Sequence, residues 1–198
     1  MSEYLYTSAE LSHCGAYRYS LGRIWREGGP SMLFVMLNPS TADADTDDPT
    51  IRRCVWFAKR EGCGALMVVN LFALRTPDPI SLLKADDPVG PFNDYHIGRA
   101  VQLHARSGAR IVLAHGRVHS RLHPRYSHVQ IMLRNVETWC LGRTAAGYPR
   151  HPLYLRADAP LAYYNWYSTP WCAQSDQPSR VVTAPTATAP PAQEPSRE

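Results

Sequence analysis

The sequence predicts a single α/β domain, a three-layer sandwich whose central, mostly parallel four-stranded sheet is covered by helices on both faces. Four short apolar runs lead there first: MLFVML (32–37), ALMVVNL (65–71), RIVLA (110–114) and VETWCL (136–141). They are aliphatic or β-branched and bounded by Gly, Pro or polar residues, as strands buried on both faces are. Segments of helical period separate them, and strands joined through helices pair in parallel. The chain's 198 residues suffice for one substantial core and are too few for two comfortable ones.

Taken in order, YRYSLGRIW (17–25) alternates bulky with small or polar residues and predicts an early edge strand or hairpin. In 50–61, Ile51, Cys54, Val55 and Ala58 fall on one helical stripe. In 93–106, Ile97, Val101 and Leu103 do so less cleanly. A third helix is expected between Val118 and Asn135, with Pro124 as a break or a fresh start. The domain is expected to span residues 1–170. From 171 to 198 Pro, Ala, Thr and Ser dominate and large apolar residues nearly vanish, so that stretch reads as a disordered tail. The aromatic run before it, LAYYNWYSTPWC, suits packing of the chain's end against the domain, or a peripheral stacking strip.

No apolar run approaches the ~20 residues that span a bilayer, and MSEYLYTSAE lacks the basic-then-apolar order of a signal peptide. A soluble, cytoplasmic monomer is expected. Five cysteines, at 14, 54, 63, 140 and 172, are odd in number and irregularly spaced, which argues for reduced thiols.

The net charge of +4 is unevenly placed. Between His96 and Arg156 the only acidic residue is Glu137, against ten arginines and seven of the eight histidines. Arginine's planar fork suits phosphate, so this half reads as a nucleic-acid-facing surface, with Arg117, Arg121, Arg125, Arg143 and Arg150 as candidate backbone contacts. A solvated face balanced by the acidic first half is the plainer alternative.

Ligands of parallel α/β sheets gather outside the carboxyl ends of the strands. There stand Asn38-Pro39-Ser40-Thr41, Asn70, His115-Gly116 and the segment from Gly142 to Tyr154. An Asn at a strand end can hold a water by its side-chain carbonyl, whereas Asn-Pro is also a common turn. Asp48, ahead of Pro49, is assigned mainly to capping the next helix. Asp43 and Asp45 offer carboxylates for Mg²⁺ or base chemistry.

LFVMLNPSTAD, MVVNLFALRTPD, RIVLAHGRVHSRL and TWCLGRTAAGYPRHPLY resemble, in order and spacing, the motifs of the uracil-DNA glycosylase superfamily, especially its mismatch-specific branch, over roughly residues 30–156. The string LNPSTAD, DDPTIRRC, VVNLFALR and HPLYL looks more closely like a family of small bacterial and phage proteins of unknown function. The superfamily resemblance implies a glycosylase-like fold and a hydrolase that flips a base out of DNA and cuts its N-glycosidic bond without a cofactor. It implies catalytic roles for Asn38, matching a water-positioning Asn, and His151, matching a donor to the base oxygen. Asn70 matches the reader of the base's Watson–Crick edge. Leu153 and Tyr154 stand where the resemblance puts a wedge into the vacated stack. Pro39, Ser40, Arg75, His115 and Gly116 complete the implied substrate site. Asn38 and Ser40 replace a catalytic aspartate and a thymine-excluding tyrosine of the classical enzymes, so a modified pyrimidine suits the site better than strict uracil. The cysteines lack the close pairs of the iron–sulfur branches, and no cluster is expected.

Two other functions stay open: a non-catalytic module that binds a modified base or nucleotide, and a metal-dependent enzyme on free nucleotides using Asp43 and Asp45. His115, His119 and His123 recur every fourth residue, as metal ligands on a helix do. Interleaved arginines at 117, 121 and 125 disfavour a dication there, and a phosphate-facing basic helix is the preferred reading, with no metal.

Overall fold

A computed structural model describes residues 3–166; the expected tail at 171–198 lies outside them. The described residues form an α/β fold with three α-helices and one seven-stranded mixed sheet, ordered β1-β2-β4-β3-β5-β6-β7. The four runs anticipated as strands are β3 (Ser31–Met36), β4 (Ala65–Asn70), β5 (Arg110–Leu113) and β6 (Thr138–Cys140). They are contiguous and mutually parallel.

The sheet is wider than the expected four strands because antiparallel strands flank this block. Strand β2 (Arg18–Ile24) lies against β4, β1 (Tyr6–Leu11) lies outside β2, and β7 (Ala162–Tyr163) borders β6. The early strand is therefore interior rather than an edge. Its buried face, with Tyr19, Leu21 and Arg23, is one that an edge position would leave half solvated.

Alternate residues of β3 feed two cores. Met32, Phe34 and Met36 pack with Ile51, Cys54, Val55, Phe57 and Ala58 of α1 (Pro49–Arg60). Leu33 and Val35 pack on the other face with Ile97, Ala100 and Val101 of α2 (Asn93–Arg106) and with Tyr126 and Val129 of α3 (His123–Met132). Period-2 alternation on a strand buried on both faces gives this division. Pro124 begins α3 afresh, sitting in its first turn, where no backbone N–H is required.

Tyr164 and Trp166, at the end of the described residues, are buried in the core, whereas Tyr163 of the same aromatic run is exposed. Among the described residues no helix is long and apolar enough to cross a membrane. Cys14, Cys54, Cys63 and Cys140 are free.

Candidate functional site

Loops from the carboxyl ends of β3, β4 and β5 and the segment after β6 enclose a cavity of about 590 Å³. Asn38, Ser40, Asn70, His115, Gly116, Arg117, Arg150, His151, Leu153 and Tyr154 all line it. Pro39 and Arg75 do not.

Strand β3 delivers Asn38. Its Nδ2 donates to Pro39 O at 3.0 Å and to Thr76 O at 2.8 Å. Both acceptors are main-chain carbonyls, so the amide orientation is fixed and Oδ1 is left available as an acceptor. Pro39 is buried, and its carbonyl also takes Thr76 N–H at 2.9 Å; it sets the loop. Beyond Ser40 and Thr41 the chain enters α1, where Asp48 accepts Ile51 N–H at 2.8 Å and Pro49 occupies the first turn. Asp48 lines the cavity and is spent as the helix cap.

Asn70 closes β4 and is 1 % exposed. Its main-chain carbonyl receives Asn93 Nδ2 at 3.1 Å, while its own Nδ2 is sealed from solvent without a partner among the described residues. A buried amide left unsatisfied costs about 1–3 kcal/mol, and a ligand carbonyl would remove that cost.

His115 follows β5 and is 2 % exposed. Its Nδ1 lies 2.7 Å from Gly116 O, which requires a proton on Nδ1 and leaves Nε2 as an acceptor. That Nε2 is sealed and without a partner among the described residues. Desolvation pushes the ring's pKa down to about 4, so it is neutral at neutral pH. The indole of Trp166 stacks on it, centroids 6.1 Å apart.

Gly116 turns the chain with φ +72°, a conformation L side chains disfavour, and a Cβ there would stand 3.7 Å from the Cβ of His151. Its N–H donates to Pro149 O at 3.0 Å, holding the β5 exit against the segment that carries His151. The Nδ1 of His151 accepts Leu153 N–H at 3.3 Å, so in the neutral ring the proton resides on Nε2, a donor. Burial lowers this histidine's pKa, favouring that neutral form.

Residues Pro152–Tyr154 make a single 3-10 turn. Leu153 (39 % exposed) and Tyr154 (75 % exposed) stand at the cavity rim.

The basic residues separate into two groups. Arg117 and Arg150 are exposed and line the cavity; Arg121 and Arg143 are exposed away from it. Arg143 lies over the Tyr164 ring, 4.7 Å from its centroid. Arg125 is withdrawn from solvent, its Nε donating to Leu71 O at 2.6 Å and its Nη1 pairing with Asp94 at 2.5 Å. It stitches α3 to α2 and the end of β4 rather than facing phosphate. Arg75 reaches the N-terminal hairpin, with Nη1 3.4 Å from Gly15 O.

The expected basic helix through 115–125 does not form, because Gly116 turns the chain directly after β5. His115 is buried at the strand end, His119 caps the 3-10 turn Ser120–Leu122, and His123 opens α3. No three His, Cys, Asp or Glu side chains among the described residues come together to hold a metal. Asp43 Oδ1 is occupied by the N–H groups of Asp45 and Thr46, and neither Asp43 nor Asp45 lines the cavity.

Arg18 is a cavity residue not expected from the sequence. This side chain opens β2, is 2 % exposed and lines the cavity. The available signal was an arginine between two tyrosines, in a strand whose other bulky residues are built for burial.

Comparison with known proteins adds a family. The chain belongs to the family described as a protein of unknown function (DUF1643), whose model matches residues 18–153. The matched span begins on Arg18 and ends on Leu153, so every cavity-lining residue except Tyr154 falls inside it. No curated protein and no solved structure matches the chain.

Proposed function

We propose that this DUF1643-family chain is a base-directed hydrolase, cutting the N-glycosidic bond of a modified pyrimidine that it draws out of DNA into the cavity. One observation carries this reading. Motifs set far apart in sequence deliver an available acceptor (Asn38 Oδ1), a neutral imidazole donor (His151 Nε2–H) and an unsatisfied amide (Asn70) to one enclosure.

The chemistry asks for those three groups. Breaking the bond passes through an oxocarbenium-like sugar and a departing base anion. Asn38 Oδ1 orients the attacking water, and His151 Nε2–H donates to the base oxygen as charge grows there. A neutral histidine already placed as a donor needs no proton taken up beforehand. Asn70 matches its amide to the donor–acceptor edge of a pyrimidine. Ser40 leaves space for a ring substituent. Exposed Tyr154 at the rim fills the gap left in the stack, and Arg117 and Arg150 hold flanking phosphates. A cavity of about 590 Å³ lies in the size range of small-molecule sites, ~300–1,000 Å³.

The test is incubation of the full chain with single- and double-stranded oligonucleotides carrying uracil, mismatched thymine, hydroxymethyluracil and bulkier pyrimidines, followed by alkaline cleavage at abasic sites. Release from at least one modified base is expected. Asn38→Ala and His151→Ala should each slow it by roughly 10²-fold or more with oligonucleotide binding retained. A panel with no abasic product sinks the hydrolytic reading.

One observation favours a second reading, a non-hydrolytic module that recognises the same base. Among the described residues Asp48 is the single carboxylate lining the cavity, and its Oδ1 is engaged in capping α1. Salt-dependent binding of a modified oligonucleotide without base release would establish it.

A further inference from the structure

Strand β2 buries two arginines, and they are provided for very differently. Arg23 is 1 % exposed. Its Nε donates to Asp47 at 2.9 Å, its Nη1 to Gly22 O at 2.9 Å, and its Nη2 to Asp43 O at 2.6 Å, with Asp47 as counter-ion. Arg18 is as deeply buried, yet one hydrogen bond holds its guanidinium, Nη1 to Ala42 O at 2.6 Å. Its Nε is sealed from solvent and has no partner among the described residues. Among the described residues no carboxylate forms an ion pair with it. Asp48 favours its charge electrostatically but is engaged with Ile51 N–H.

A guanidinium carries five N–H donors and is costly to bury unless they are met. Arg23 shows that this fold meets the demand where the role is internal. Arg18 differs in lining the cavity, next to Ser40, Thr41 and the first turn of α1 from Asp48 to Ile51. The N-terminal end of a 12-residue helix lies beside it, with the Asp48 carboxylate capping that end, and the Thr50 N–H of its first turn has no acceptor within the helix. Desolvation pulls the pKa of Arg18 down to about 10, which leaves it charged at neutral pH.

We propose that Arg18, with the N-terminal turn of α1, forms an oxyanion subsite inside the cavity, so that the ligand carries a carboxylate or phosphate group there in its ground state. The inference rests on the base-directed reading for the rest of the ligand. It narrows that ligand to a base with an anionic substituent or to a pyrimidine mononucleotide. The exposed arginines at the rim serve flanking phosphates; Arg18 serves a group that has left water.

Isothermal titration of the full chain with paired probes separates the sources: 5-carboxyuracil against uracil, dUMP against deoxyuridine, and inorganic phosphate alone. At least a tenfold preference for the anionic member of one pair is expected. A preference confined to 5-carboxyuracil assigns the anion to the base, and one shared by dUMP and phosphate assigns it to the nucleotide. The preference should vanish in Arg18→Gln, persist in part in Arg18→Lys, and be unchanged in Arg106→Gln, an exposed arginine at the end of α2. Because Arg18→Gln can also loosen the Ala42 loop, the wild-type Arg18 Nε–H resonance is followed by ¹H–¹⁵N NMR. It should move on addition of the preferred anion and stay in place with its neutral partner. Equal binding within both pairs, or an Arg18 resonance indifferent to every anion, overturns the subsite. Binding is the readout throughout, so failure to release a base leaves this result standing, and base release with Arg18 idle refutes the subsite alone.

Discussion

Acidification should destabilise this fold through His115 in particular. The ring titrates near 6.5 when unfolded and at about 4 when folded, held down by burial. Between those values the unfolded chain holds a proton that the folded chain lacks, so stability rises with pH across the window and is lost as pH falls through it. At about 1.4 kcal/mol per pH unit, the loss between pH 7 and pH 4 is about 3 kcal/mol. Below pH 4 both states are protonated and the contribution levels off. His96, His104 and His151 also have lowered pKa values, so the wild-type slope alone does not isolate His115. The comparison is urea unfolding of wild type and His115→Gln at half-unit steps from pH 7 to pH 4. Since the other histidines are common to both proteins, they cancel in the difference. The variant should lose about 3 kcal/mol less than wild type over the interval. Parallel curves would mean that His115 is protonated, or solvated, in the folded protein, and would remove the basis for treating its Nε2 as a neutral acceptor in the cavity.

Asp47→Ala should cost roughly 3–5 kcal/mol in urea unfolding, since it strands the buried Arg23 charge; Asp47→Asn, which keeps an acceptor for Nε, should cost clearly less. Gly116→Ala should lower stability by ~1–2 kcal/mol through its left-handed φ. That is a fall of several degrees in Tm, because a Cβ at 3.7 Å from His151 is ordinary contact and the strain lies in the backbone. Tyr154→Ala removes a side chain that is 75 % exposed, so its Tm should be unchanged within a degree or two, while base release from duplex DNA falls more than release from single strands, measured on matched oligonucleotides.

Strands β3, β4 and β5 were legible because a strand buried on both faces is an uninterrupted apolar run. Strand β1 was not: Tyr6–Leu11 is half exposed along its length, and only its pairing with β2 makes it a strand. In α2 the stripe was misdrawn. Leu103 is 53 % exposed, whereas His104 is buried, its Nδ1 2.8 Å from Ala100 O and its Nε2 3.1 Å from Ser31 Oγ. A histidine whose two nitrogens are both engaged can replace an aliphatic residue in a core, and its polarity conceals the substitution. The four-residue spacing of His115, His119 and His123 misled for a related reason. Periodicity says nothing of where a helix starts, and the left-handed glycine at 116 separates the first of these residues from the rest.

The cavity was largely legible for a topological reason that also explains the omission of Arg18. In a parallel sheet every strand ends on the same side, so the residues that follow each apolar run are neighbours in space however far apart in sequence. Asn38 and His115 directly follow such runs, and Asn70 stands at the end of one. Strand β2 runs antiparallel to β4, pairing Leu21 with Val68 and Ile24 with Ala65, and Arg18 N–H donates to Ala73 O beyond the end of β4. The beginning of β2 therefore lies beside the ends of the parallel strands, and its contribution to the cavity stands before its run. The rule for such a mixed sheet is to look after parallel strands and ahead of antiparallel ones. Applied here, it places a cation at the inner wall, where burial strengthens its field, and leaves the solvent-facing arginines at the rim, where salt screens theirs. Ligand affinity that depends on Arg18 should accordingly resist added salt, while affinity that depends on Arg117 and Arg150 should decline with it.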